Sequence, residues 1–237
     1  MARDAGARRR LAGYAVHLFT ASGSVCALLS TLEVLNGHFE AGFAWLFLAL
    51  FIDAVDGTIA RAVSVEESLP RFSGERLDLV VDYVTYVFVP VLALIKGGFL
   101  LGAVGLATAA LILLSSLHHF ADKQSKADDH CFVGFPAVWN LVAFCIFAWG
   151  LSAYAATGIC LALVLLTFVP MHWIHPMRVD RCFALNVVVA GAGLVAGGWI
   201  LVEGFPGAPV PGLVLALAAA YFLVMAIVWR AVDRRLE

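Results

Sequence analysis

Charge is what this sequence has least of: Asp, Glu, Lys and Arg make up 14% of its 237 residues, against roughly a quarter in an average soluble domain. That shortage excludes an ordinary water-soluble enzyme, because so few ionic groups cannot cover a chain that is 62% hydrophobic. A net charge of −2 leaves out the basic surface that nucleic-acid binding requires. Cysteines number only five. Cys26, Cys145 and Cys160 stand in apolar runs, where thiols pack as small hydrophobes, and no spacing suits a disulfide framework or a zinc site. There is no repeat, low-complexity stretch or dividing linker, so residues 1–237 read as one domain.

Long apolar runs are what the chain has instead. About 20 apolar residues cross a bilayer as a helix, and eight such stretches are expected at 12–36, 40–62, 75–97, 99–122, 134–151, 153–173, 182–203 and 210–230. The breaks fall at turn-forming points such as Asn36-Gly37, Gly97-Gly98 and Phe205-Pro206-Gly207. The first stretch has no small-residue cleavage site after a short apolar core and reads as a retained span. Of the 15 Lys and Arg residues, all but Lys96 fall before span one, after span eight, or between spans two and three, four and five, or six and seven. Positive residues stay cytoplasmic, so the expectation is an all-α polytopic membrane protein with both termini in the cytoplasm. Gly191, Gly193, Gly197 and Gly198 in span seven allow close helix packing and signal nothing further.

Against that background, acids inside spans stand out. At 100° per residue, Asp53, Asp56, Gly57 and Ala60 share a stripe about 100° wide on span two, and Gly74, Asp78 and Asp82 make a similar stripe on span three. A cytoplasmic connection joins the two spans, so the stripes can face each other. One Asp at a helix centre costs about 2.5–3.5 kcal/mol, and four cost on the order of 10 kcal/mol, less whatever a position nearer the interface returns. Arg61, Arg71 and Arg76 are too few and too close to water to neutralise all four. Divalent cations held by hard oxygen ligands would remove the penalty; the alternative is a carboxylate–arginine network that only fixes packing. Gly57 and Ala60 clear a shelf beside the acids, and Arg61 can meet a phosphate. Acids for metal, a shelf and an arginine together suggest a nucleotide-diphosphate substrate.

The pattern Asp53-x2-Asp56-Gly57-x2-Ala60-Arg61 … Gly74-x3-Asp78-x3-Asp82 resembles the signature of the CDP-alcohol phosphotransferases, over residues 53–82. Twelve residues separate Arg61 from Gly74, more than is usual in that family. This spacing, with 69–78, Gly134-Phe135-Pro136-Ala137-Val138-Trp139-Asn140 and His175-Pro176-Met177-Arg178-Val179, is similar to a bacterial branch that uses choline. The resemblance implies a reaction in which CDP-diacylglycerol and choline give phosphatidylcholine and CMP. It also implies one or two Mn²⁺ or Mg²⁺ ions on Asp53, Asp56, Asp78 and Asp82, with Asp82 as the base for the acceptor. Finally, it implies a homodimer in the bacterial inner membrane whose site faces the cytoplasm. CDP-diacylglycerol is expected at Gly57, Ala60, Arg61, Gly74, Thr20 and Arg178.

Other residues leave alternatives open. His17, Thr20 and Ser22 approach the nucleotide by resemblance, or bond their own backbone by propensity. His118, His119, His172 and His175 end spans on the basic side, as metal ligands or as headgroup-facing residues. Arg178 and Arg181 hold a phosphate or anchor the topology. Choline carries a permanent charge and cannot donate a hydrogen bond, so aromatic faces should recognise it. Tyr83, Tyr86, Trp139 and Asn140 lie at a suitable depth, with interfacial or packing aromatics as the alternative. A different acceptor alcohol such as serine stays within the same chemistry, whereas an ion transporter would need acidic partners nearer the outer side.

Overall fold

The structure, a computed structural model, describes residues 2–125, 127, 131–179 and 182–233, with side chains described between residues 6 and 228. Lys126, Arg181, Arg234 and Arg235, which count toward the basic asymmetry, lie outside the described residues. The described elements run α1 (Ala2–Leu35), α2 (Phe39–Val63), α3 (Val65–Ser68), α4 (Gly74–Asp82), a π-helical segment (Tyr83–Phe88), α5 (Val89–Lys96) and α6 (Gly102–Ala121). They continue with β1 (Phe132–Val133), α7 (Trp139–Ala148), α8 (Ala153–Thr167), β2 (His172–Trp173), α9 (Phe183–Glu203) and α10 (Pro209–Asp233).

Among the described residues, six helices are long and apolar enough to cross a membrane: Gly6–Leu35, Phe39–Val63, Gly74–Lys96, Gly102–Ala121, Phe183–Glu203 and Pro209–Val228. The sequence suggests eight, and the two others, α7 and α8, are shorter at 10 and 15 residues, or about 15 and 22 Å. The shortening has a local cause. Gly134 takes φ +81° and Ala137 φ +55°, with Pro136 between them, so residues 134–138 cannot be helical and α7 starts only at Trp139. A Cβ on Gly134 would sit 2.2 Å from the Thr167 carbonyl oxygen, so glycine lets this stretch pack directly on the end of α8. Its N–H donates to the Met171 carbonyl at 2.9 Å. Beside it, β1 and β2 pair antiparallel, Phe132 opposite Trp173, a sheet pair that the all-α expectation leaves out.

The third span is one helix in three parts. The Val89 N–H bonds the Val84 carbonyl, five residues back, which is the π pattern. Pro90 has no N–H to give to the Tyr86 carbonyl four residues earlier, so an ordinary α ladder cannot run through this point. The Thr85 hydroxyl donates to the Val81 carbonyl at 3.0 Å. Away from the acids, the core is aromatic. Phe43, 1% exposed, has ring centroids of Phe144, Phe147 and Phe205 at 5.5, 5.2 and 5.6 Å, and Phe99 lies 4.7 Å from Phe147. Such edge-to-face pairs are the favoured aromatic geometry.

Candidate active site

The turn at Asn36-Gly37 reverses the chain, so α1 and α2 run antiparallel, and α4 returns against α1. That last contact is close. A Cβ on Gly23 would come within 2.6 Å of a Val81 methyl group, so the missing side chain sets how near α1 lies to α4. The Ser73 side chain accepts from the Arg76 N–H at 3.2 Å and caps α4, starting the helix where Asp78 and Asp82 face α2.

Asp53, Asp78 and Asp82 each place a carboxylate oxygen so that the three atoms lie within 4.8 Å of one another, and all three residues are half-buried. Asp53 and Asp78 are close neighbours, and Arg178 is close enough for its charge to act on Asp53. Asp56 is set deeper, 6% exposed, and its Oδ2 accepts from the Thr20 hydroxyl at 2.6 Å. Oδ2 of Asp53 accepts from the Tyr86 hydroxyl at 2.5 Å. The four aspartates and Thr20 line a cleft with Ala49, Ile52, Val81 and Thr85, with about 10 Å³ open to a water-sized sphere, space for one water or small ion. Three converging carboxylates form a hard-oxygen donor set, the kind that takes Mg²⁺ or Mn²⁺.

At the rim the residues are polar and more open. Arg61 is exposed, and its guanidinium donates to the Thr58 hydroxyl at 3.2 Å. A Cβ on Gly57 would meet only that guanidinium, at 3.5 Å, which is ordinary contact. Packing therefore does not require glycine at this position. Ala60 and Gly74 are half-buried, and the His17 ring lies 3.4 Å from where a Gly74 side chain would begin. Arg178 is exposed.

The aromatic residues expected around choline separate. Tyr86 is buried behind the cleft, its hydroxyl donating to Asp53. Tyr83 turns toward α6, donating to the Leu113 carbonyl at 3.4 Å, its ring 6.3 Å from Phe120. Trp139 is 0% exposed, with its indole N–H on the Ser116 hydroxyl at 2.9 Å and its ring 5.1 Å from Phe135. The buried Asn140 accepts from the adjacent Leu141 N–H at 2.9 Å. Neither Trp139 nor Asn140 lines the acidic cleft; Trp139 belongs to the core because a fully enclosed indole needs its N–H satisfied within the protein. The hydroxyl partners of the acids are what sequence reasoning missed. Tyr86 lies four residues beyond Asp82, a usable sign of proximity, whereas nothing local in the sequence pairs Thr20 with Asp56.

The chain belongs to the CDP-alcohol phosphatidyltransferase family, whose sequence model matches residues 16–173. It is 45% identical over 210 residues to the phosphatidylcholine synthase of Bradyrhizobium diazoefficiens, covering 89% of this chain and 78% of that one. To the phosphatidylcholine synthase of Agrobacterium fabrum it is 41% identical over 192 residues, covering 81% and 80%. To that of Pseudomonas aeruginosa it is 38% identical over 218 residues, covering 92% and 91%.

Proposed function

We propose that this chain transfers the phosphatidyl group of CDP-diacylglycerol to choline, giving phosphatidylcholine and CMP. The observation that carries the reading is the convergence of Asp53, Asp78 and Asp82 within 4.8 Å, at the positions of the family signature. The phosphatidylcholine synthases among its relatives supply the acceptor. Asp53, Asp78 and Asp82, with Asp56 beside them, hold one or two Mn²⁺ or Mg²⁺ ions. When bound, such ions neutralise charge on the pyrophosphate of the substrate.

The chain's own residues do the rest. Gly57 and Ala60 leave room for the cytidine, and Gly74 and Thr20 border the same side. Arg61 and Arg178 meet phosphate oxygens. The hydroxyl oxygen of choline attacks the phosphorus that carries diacylglycerol, the bond from that phosphorus to the CMP oxygen breaks, and Asp82 takes the hydroxyl proton. Direct displacement suits a site whose cleft-lining side chains offer carboxylates rather than a thiol or imidazole. Tyr83, half-buried and next to Asp82 on the third span, fits recognition of the trimethylammonium group by an aromatic face. The protein sits as a homodimer in the bacterial inner membrane, with both termini and the cleft on the cytoplasmic side; the distribution of Lys and Arg supports that orientation.

The test is purified protein in vesicles containing CDP-diacylglycerol, supplied with labelled choline and Mn²⁺. Labelled phosphatidylcholine and CMP should form in equal amounts, and EDTA should stop the reaction. Serine or ethanolamine turning over as well as choline would refute the acceptor assignment. Unchanged turnover in EDTA would refute the metal assignment.

A further inference from the structure

We infer that Tyr86 is a positioning residue that fixes the carboxylate of Asp53 for cation binding, and that its phenol is committed to this task rather than to the acceptor. The inference rests on the metal reading of the cluster given above.

The geometry is specific. The Tyr86 hydroxyl donates to Oδ2 of Asp53, and a carboxylate acceptor makes such a bond charge-assisted. Tyr86 is 8% exposed and packed in the main apolar core next to Val87. A buried phenol without a partner would cost on the order of 1–3 kcal/mol, so the two side chains hold each other. One bond ties down one oxygen of Asp53, which stops the carboxylate from rotating freely. The conformation that a cation needs is thereby set before the cation arrives.

The backbone supports the same assignment. Tyr86 lies within the π-helical segment that begins immediately after Asp82. π segments are rare and occur often at functional sites. Here the wide turn coincides with the residue that joins the third span to Asp53 of the second. A tyrosine recognising trimethylammonium would instead need an open ring face, and this ring is enclosed. Asp56 has a parallel arrangement with the Thr20 hydroxyl at 2.6 Å, so both aspartates of the second span are held by hydroxyl groups from neighbouring helices.

Tyr86→Phe keeps the ring and removes the bond. In detergent-solubilised full-length protein titrated with Mn²⁺ and followed by electron paramagnetic resonance, the variant should bind Mn²⁺ about 10–100-fold more weakly. Its melting temperature without metal should stay near that of the unaltered protein, and its choline KM at saturating Mn²⁺ should not change. In an Asp53→Asn background the same substitution should have no further effect on Mn²⁺ affinity. That comparison also serves if Tyr86→Phe alone folds poorly, because an additional loss there would show that Tyr86 does not act through Asp53. Equal Mn²⁺ affinity in variant and unaltered protein overturns the inference while leaving the metal site intact, as does a raised choline KM with unchanged affinity. No Mn²⁺ binding by the unaltered protein overturns the metal reading itself, and this inference with it.

Discussion

The two ends of α2 solve opposite problems. Near its start, Phe43 is enclosed by three other phenylalanine rings at 5.2 to 5.6 Å. Ten residues on, about 15 Å along the axis, Asp53 and Asp56 face acids of α4 and hydroxyls of α1 and the π segment. The aromatic end is held by ring contacts and by two hydrogen bonds, from the Ser30 hydroxyl to the Gly42 carbonyl at 2.8 Å and from the Phe205 N–H to the Glu40 carboxylate at 3.0 Å. Lipid is as apolar as that core, so shape complementarity, not the removal of surface from water, decides its stability. At the acidic end, like charges are brought together in a setting where each is expensive. Thr20 and Tyr86 satisfy individual oxygens without cancelling charge. An arrangement that gathers three carboxylates within 4.8 Å favours a positive group beside them, whereas the aromatic end is filled by its own side chains.

Four substitutions put this contrast under strain. The largest effect should come from Asp78→Asn, which removes one charge and one ligand from the cluster. CMP release in vesicles should fall to background while the protein still inserts and melts as before, and substantial remaining turnover would remove Asp78 from the metal site. Phe43→Ala should act in the reverse sense, lowering stability by about 3 kcal/mol, the low end for aromatic truncation because only packing is lost. Denaturant titration measures this, and Mn²⁺ affinity in the folded fraction should be unchanged. A shift in Mn²⁺ affinity would show that the two ends are coupled.

Gly57→Ala adds a methyl group where the protein has room, so folding should be unaffected. If the space is for substrate, overpacking by about 1–3 kcal/mol raises the CDP-diacylglycerol KM roughly tenfold or more, with the choline KM little altered. An unchanged KM would mean that the shelf is vacant in the complex too. The smallest effect is expected of Trp139→Phe, which gives up the bond to Ser116 and about 1 kcal/mol of stability. Its choline KM should not move, and a clear rise would return Trp139 to the acceptor pocket.

The acids were legible in the sequence because membrane cost makes charge conspicuous and helical periodicity assigns it a face. Asp53, Asp78 and Asp82 could be brought together from spacing alone. The apolar runs were legible for the same reason, although the start of α7 was not, since the backbone at 134–138 is set by Gly134 packing on Thr167. Partners distant in sequence were out of reach. Thr20 and Asp56 are 36 residues apart, Trp139 and Ser116 23, and neither pair has a periodicity that joins it. A lone aromatic at the depth of a binding site could not be told from a core residue until its neighbours were known.

The twelve residues between Arg61 and Gly74 have a different tolerance to change from the six that follow Asp82. In the first stretch the additional length is absorbed as the separate turn α3, with Leu69 buried and its side chain set against Gly13 of α1. An added or lost residue outside the packed turn of α3 need not rotate the helices on either side, so the carboxylates can keep their places. In the π segment, one residue more or less turns everything beyond it by about 100°. A deletion there would carry Tyr86 away from Asp53 and turn the enclosed Val89, Val91 and Leu94 out of the core together. Insertions and deletions should therefore accumulate on one side of Asp78 and Asp82, and be purged on the other.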